Sequence, residues 1–235
     1  MKKYCLLLLI LNSYFYFYAN SIIIEFPEFS TTSIGISPLH PDPDFMLNYS
    51  KEQASVLYSR LQNSYNFYEL MIIDYYTQKN TKNFTTNIDD LYHNFDNLQL
   101  LHIHPFAGYN IFFFDLDNAQ LPHIRENTDI QIEKLPTINV ENSSIIVAAT
   151  AEALKLDESL DKAFELALME MSKTTNLTAV SIIEANYYYA THDVLVKSEN
   201  LLSNIRLSKI IIKQNTDKNY FYYTVRIELI KDDYR

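Results

Sequence analysis

Cysteine occurs once, at Cys5; tryptophan is absent; glycine occurs twice, at Gly35 and Gly108, in 235 residues. Each scarcity removes a class of chemistry. A single thiol gives no intramolecular disulfide and no thiolate metal cluster. Two isolated glycines cannot build a P-loop or a dinucleotide fingerprint, whose backbone amides must crowd around a phosphate. No Gly-x-Ser-x-Gly elbow exists for a hydrolase serine. Asp115 and Asp117 share one strand face, as paired glycosidase carboxylates would, but no tryptophan offers a sugar platform. Positive charge is also short. Lys and Arg number 19 against 29 Asp and Glu, a formal net charge of −10. Such a chain repels phosphate backbones and anionic lipid, which argues against nucleic acid as a partner.

What is present begins at the N-terminus. Lys2 and Lys3 precede an apolar run from Tyr4 to Leu11 and an aromatic run to Tyr18, and Ala19-Asn20-Ser21 follows with small-x-small spacing. This is the layout of a secretory signal over residues 1–21. The mature chain is expected to start near Ile22, carry a net charge of −12 and be periplasmic or secreted. The apolar run is shorter than the about 20 residues of a bilayer span and is broken by Asn12 and Ser13. Membrane contact is expected only if the signal stays uncleaved. Cys5 stands at the start of the run, where a lipoprotein needs it at the end, so no covalent lipid anchor is expected.

Tyr (19) and Phe (14) are abundant, and β-branched residues accompany them, which favours sheet. The clearest helix is Asp157 to Lys173. Leu156, Leu160, Ala163, Phe164, Ala167, Leu168 and Met171 form one stripe of 3.6-residue period, with Asp157 as the expected cap. An earlier helix repeats the design. Ser50 and Gln53 have capping-box spacing, and Ala54, Leu57, Tyr58, Leu61, Tyr65 and Tyr68 follow on one stripe. Each helix follows a short apolar strand (Thr32–Ser37; Ser144–Ala149) and precedes a Tyr-rich one (Leu70–Thr77; Ala179–Ala190). Each half then closes in a hairpin. Leu98–His104 is expected to pair with Asn110–Leu116, and Leu207–Lys213 with Phe221–Leu229.

The pattern predicts an α+β protein of two tandem β-α-β-β-β modules, each a helix on a small antiparallel sheet. The first module spans 22–135 and the second 136–235, with helix cores about 109 residues apart, judged from Ala54 and Ala163. Gln78–Asn97 reads as a polar insertion of loop and a short helical turn. Leu121–Glu141 reads as the connection, with a strand near Ile130–Ile132.

The second half resembles a known envelope module. Val147-Ala148-Ala149-Thr150-Ala151-Glu152-Ala153, Leu160 through Ala167, Val180-Ser181 and Tyr220-Phe221-Tyr222-Tyr223-Thr224-Val225 occur in that order. This order is similar to the LPP-twenty type lipoprotein family and to the N-terminal domain of flagellar assembly protein T. The resemblance covers 144–230, with a weaker echo over 32–116. It implies a non-catalytic bacterial envelope component, in some relatives one that assists flagellar or surface assemblies. The lipidated cysteine of the lipoproteins is missing, and alanines stand where a first-strand glycine is often found. The resemblance carries no catalytic residues and no cofactor.

His102 and His104 are the metal candidates. Two apart on a strand, they point the same way, and His93, Asp96 or Asp115 would complete a tetrahedral set. The plainer reading makes them polar positions on the wet face of a hairpin, with Leu101 and Ile103 inward. Asp42 and Asp44 lack the glycine and distal glutamate of a calcium loop, and their flanking prolines suggest an extended segment. Tyr187-Tyr188-Tyr189 and Phe112-Phe113-Phe114 place aromatics on both strand faces. The surplus face either meets a partner or is covered by the other half. Tyr187, Tyr189 and Tyr222 are the interface candidates, and Phe221–Leu229 the candidate edge or interface strand. The sequons at Asn48, Asn83, Asn142 and Asn176 are attributed to the Asn-rich composition. These residues point to a non-enzymatic envelope interaction or assembly protein with protein partners and no cofactor. The rival is a periplasmic small-ligand or metal-binding protein built on the His102/His104 hairpin.

Overall fold

The computed structural model describes residues 20–28, 30–73, 77–85, 97–115, 121–127, 130–141, 144–175, 178–185, 190–203, 205–217 and 219–232, of which 63–85 and 178–203 are described by backbone alone. The strands are β1 (Ser21–Glu25), β2 (Ser33–Pro38), β3 (Asn63–Ile73), β4 (Thr77–Thr85), β5 (Gln99–Phe106), β6 (Tyr109–Asp115), β7 (His123–Asn127), β8 (Thr137–Glu141), β9 (Ser144–Ala153), β10 (Thr178–Ala185), β11 (Ala190–Ser203), β12 (Ile205–Asp217) and β13 (Tyr220–Asp232). The helices are α1 (Pro43–Gln62) and α2 (Leu156–Thr175). Most of the residues assigned to the signal fall outside the described set.

The fold is α+β, with antiparallel pairing throughout the described sheets. The element order β-α-β-β-β-β occurs twice, β2 to β6 and β9 to β13, one strand longer in each half than expected. The two halves do not keep separate sheets. One six-stranded sheet runs β7-β1-β12-β13-β9-β8, a four-stranded sheet runs β10-β11-β3-β4, and only the three-stranded sheet β2-β6-β5 comes from one half. The physical reason lies in β1. Ile22 and Ile24, at the start of the first half, are fully buried, and β12 offers them an unpaired edge with Ile210 and Ile212 opposite.

α2 follows its sequence stripe: Leu156, Leu160, Ala163, Phe164, Ala167, Leu168 and Met171 are all fully buried. It lies over β9 and β13. Beside it, on the same face of the large sheet, the β2-β6-β5 sheet presents Ile34, Ile36, Ile111 and Phe113 to the common core. The other face of that small sheet, with Phe112 and Phe114, is covered by α1 through Ala54. All three phenylalanines are therefore buried within the chain, and none of them forms a partner surface.

α1 begins seven residues before the expected capping box. The Asp42 carboxylate accepts the N–H groups of Asp44 at 3.0 Å and Phe45 at 3.4 Å, so Asp42 is the cap. Pro43 occupies the first helical position, where its missing N–H costs nothing. The segment expected to be an extended loop is thus a helix start. Ser50 sits mid-helix and donates back to the carbonyls of Met46 (2.8 Å) and Leu47 (3.0 Å). The helix also ends early, at Gln62, so Tyr65 and Tyr68 belong to β3. Asp157 lies inside the first turn of α2 and does not cap it.

The two glycines have separate reasons. A Cβ on Gly35 would stand 1.8 Å from the Ser50 carbonyl oxygen, so only glycine lets β2 touch α1 there. Ala107 (φ 48°) and Gly108 (φ 84°) form the two-residue β5–β6 turn, whose positive φ values match the twist of a hairpin. Two further expectations are revised. β4 occupies the start of the presumed polar insertion, and the strands of the 121–141 connection are β7 and β8, on either side of Ile130–Ile132.

Candidate functional site

The long β13 is an interior strand, paired on one side with β12 and on the other with β9. From Tyr223 onward it has a strand on both sides, which corrects the expectation of an edge strand for all of Phe221–Leu229 except Phe221 and Tyr222, which lie beyond the β9 pairing. Tyr222 is half-buried, its ring 6.3 Å from Tyr220, and Tyr220 and Phe221 are exposed at the strand start. Tyr187 and Tyr189 lie outside the described residues.

Among the described residues, the edge strands of the large sheet are β7 and β8. They differ in chemistry. β7 exposes His123, Arg125 and Glu126, and Arg125 pairs with Glu25 of β1. Charged edges of this kind resist addition of another strand. β8 carries a single charge, Glu141 at its end, and exposes Ile138 (43 %) and Val140 (68 %). Their partners on β9 are Val147 and Ile145, both buried on the face that α2 covers. Ile138 and Val140 therefore continue the core face into solvent.

The sequence fixes this edge from behind. Between β7 and β8 the chain passes over the opposite face of the sheet. The ammonium of Lys213 on β12 donates to the Ile130 carbonyl at 2.7 Å. The Arg226 guanidinium on β13 donates to the carbonyls of Glu133 (2.8 Å) and Leu135 (3.0 Å) and to the Thr137 hydroxyl (2.7 Å). It also meets the Glu133 carboxylate at 3.3 Å. The rigid, forked donor of arginine suits this task, because it fixes several acceptors of one extended segment together. The chain bends at Leu135, before Pro136, and Thr137 begins the strand. Arg226 reads as an ordinary polar position of an alternating strand, so sequence reasoning had no signal for its role.

His102 and His104 stand on β5 with ring centroids 6.5 Å apart, and His102 stacks on Phe113 at 6.0 Å. A register shift between Leu100 and His102 puts the histidines opposite Phe113 and Ile111, on the inner face of the small sheet. Ile103 is 41 % exposed instead. The bulge thus turns Ile103 outward against expectation, whereas Leu101 packs on the core and His102 stays exposed as expected, and His104 is half-buried. Burial lowers the His104 pKa, against the pull of the Glu126 carboxylate. Asp115 lies at the other end of the hairpin, opposite Gln99, and accepts the Thr31 hydroxyl. His93 and Asp96 lie outside the described residues, and among the described residues no group of three or more His, Cys, Asp or Glu side chains is placed to hold a metal.

A polar cleft of about 310 Å³ lies between α1 and α2, lined by Tyr49, Glu52, Gln53, Val56, Arg60, Asp161 and Glu165. Tyr49 donates to Asp157 at 2.9 Å and Gln53 to Asp161 at 3.4 Å, each link joining residues 108 apart. Arg60 approaches Glu165 at 4.0 Å. Burial and the Asp157 carboxylate push the Tyr49 pKa up to about 12. Burial raises that of Asp161, against the opposing Arg60 charge. These rungs bind the two helices side by side, and sequence periodicity gave no hint of them because they lie on the faces between the stripes.

No protein-family model matches the chain, and neither a curated protein nor a solved structure shows significant similarity to it.

Proposed function

We propose that this chain is a secreted or periplasmic, non-enzymatic component of a bacterial cell envelope that works by binding a further protein chain through strand addition at β8. The observation that carries the reading is the uncharged stretch of this edge, where Ile138 and Val140 extend the core face past its cover. Backbone groups of such an edge supply affinity, and alternate side chains supply selectivity. The likeness of residues 144–230 to the LPP-twenty and flagellar assembly protein T modules supports an envelope setting. So does the basic, apolar and small-residue layout of residues 1–21.

A mature chain that begins at Asn20 suits the fold better than one that begins at Ile22. Ser21 is fully buried and donates its hydroxyl to the Asn127 carbonyl, and the Asn20 carbonyl accepts the Gln214 N–H at 2.8 Å. No helix among the described residues is long and apolar enough to cross a membrane.

The test is site-specific photocrosslinking in cells that make the protein. A benzophenone residue at Val140 is expected to capture protein, and the same probe at Arg125 on β7 is expected to capture far less. Equal capture at both edges, or none at Val140, overturns the assignment.

A further inference from the structure

Resting on that reading of β8, we infer that its occupant is the β8 strand of a second copy, so that two six-stranded sheets join about a twofold axis. The argument is the self-complementarity of Thr137-Ile138-Asn139-Val140-Glu141. Antiparallel pairing centred on Asn139 sets Ile138 of each copy against Val140 of the other. These residues share one sheet face, and both are exposed in the single chain, at 43 % and 68 %. The pairing therefore covers the apolar strip with its like, and cross-strand pairs of β-branched residues are favourable.

The other face matches as well. Asn139 meets its own copy, and an amide that both donates and accepts satisfies its twin. Thr137 faces Glu141, so the one charge on the strand never meets a like charge. A twofold interface requires this kind of self-matching patch. The opposite edge fails the same test. Centring β7 on Arg125 would set that guanidinium against itself. Five residues of strand make a small interface, so the expected dimer is weak, with a Kd in the micromolar range.

The test uses the full chain in analytical ultracentrifugation from about 1 to about 200 µM. A reversible monomer–dimer equilibrium is expected, and Val140→Lys is expected to raise the Kd by about tenfold or more. Because Val140 is largely exposed, the variant should keep the parent circular dichroism spectrum and melting temperature. In a Cys5→Ser background, Asn139→Cys is expected to give a disulfide-linked dimer on mild oxidation, since each cysteine faces its own copy. Glu141→Cys is not. A chain that stays monomeric, a dimer indifferent to Val140→Lys, or equal crosslinking at 139 and 141 overturns self-pairing. If the chain stays monomeric while the Val140 photoprobe captures a different protein, self-pairing is wrong and the strand-addition reading stands. If the photoprobe captures nothing, both fail.

Discussion

The two halves of the chain share an element order and pack their helices by different means. α2 presents seven fully buried apolar side chains to the sheet, with the buried Ser159 donating to the carbonyls of Ala151 (2.9 Å) and Tyr223 (3.1 Å). α1 approaches β2 through small and polar groups. Gly35 admits the Ser50 carbonyl, the Ser33 hydroxyl donates to Ala54 O at 2.8 Å, and Gln53 accepts the Ile36 N–H at 2.6 Å. One helix is held mainly by apolar area, which tolerates small shifts. The other adds to its buried Leu57 and Leu61 a close approach and hydrogen bonds, which do not. A repeated secondary-structure pattern thus does not imply a repeated way of packing.

The largest expected effect comes from separating the halves. Residues 136–235 alone lose β1, leaving the β12 edge unpaired and Ile210 and Ile212 uncovered. Burial of Ile22 and Ile24 alone is worth about 3–6 kcal/mol. The fragment is expected to lack a cooperative melt by circular dichroism, and a sharp transition like that of the whole chain would show that the second half is a self-sufficient domain.

Gly35→Ala tests the close approach in the first half. The methyl would land 1.8 Å from backbone, so β2 and α1 must separate. A loss of about 1–3 kcal/mol is expected in urea unfolding. An unchanged midpoint would mean that the contact yields as easily as the apolar one under α2.

Asp42→Ala removes the cap of α1 and is expected to cost about 1 kcal/mol. The matching Asp157→Ala in α2 removes no cap, and thermal melts of the two variants should differ.

The smallest effect concerns the cleft between the helices. The raised pKa of Asp161 means that its charged form is disfavoured in the folded protein. Stability is therefore lost as pH rises from the unfolded value of 3.8 through the folded pKa, and the penalty is complete above it. Asp161→Asn is expected to raise the melting temperature slightly at pH 7, with the gain vanishing toward pH 3. A gain of the same size at both pH values would assign the effect to something other than charge.

How much of this was legible in the sequence can be argued from particular residues. The α2 stripe, the β12–β13 alternation and the β5–β6 hairpin are local patterns, repeated every 3.6 or 2 residues, and each appears where the pattern places it. The start of α1 was also local, in Asp42-Pro43, but the competing Ser50–Gln53 spacing obscured it. The Leu100/His102 register shift was not legible, because a bulge moves one residue without changing composition, and it turns Ile103 outward.

Composition and periodicity by themselves determined the α+β class and the buried helix face. These depend on contacts within a few residues of chain, where spacing alone sets the geometry. Only the tertiary structure decided that β1 joins β12, that β13 is interior, that Arg226 ties the 130–137 segment across the sheet and that β8 is an edge strand among the described residues. Strand order brings together residues such as Ile22 and Ile212, far apart in sequence. An edge strand and an interior strand can share the same local pattern, and only the neighbours they find in the folded sheet separate them.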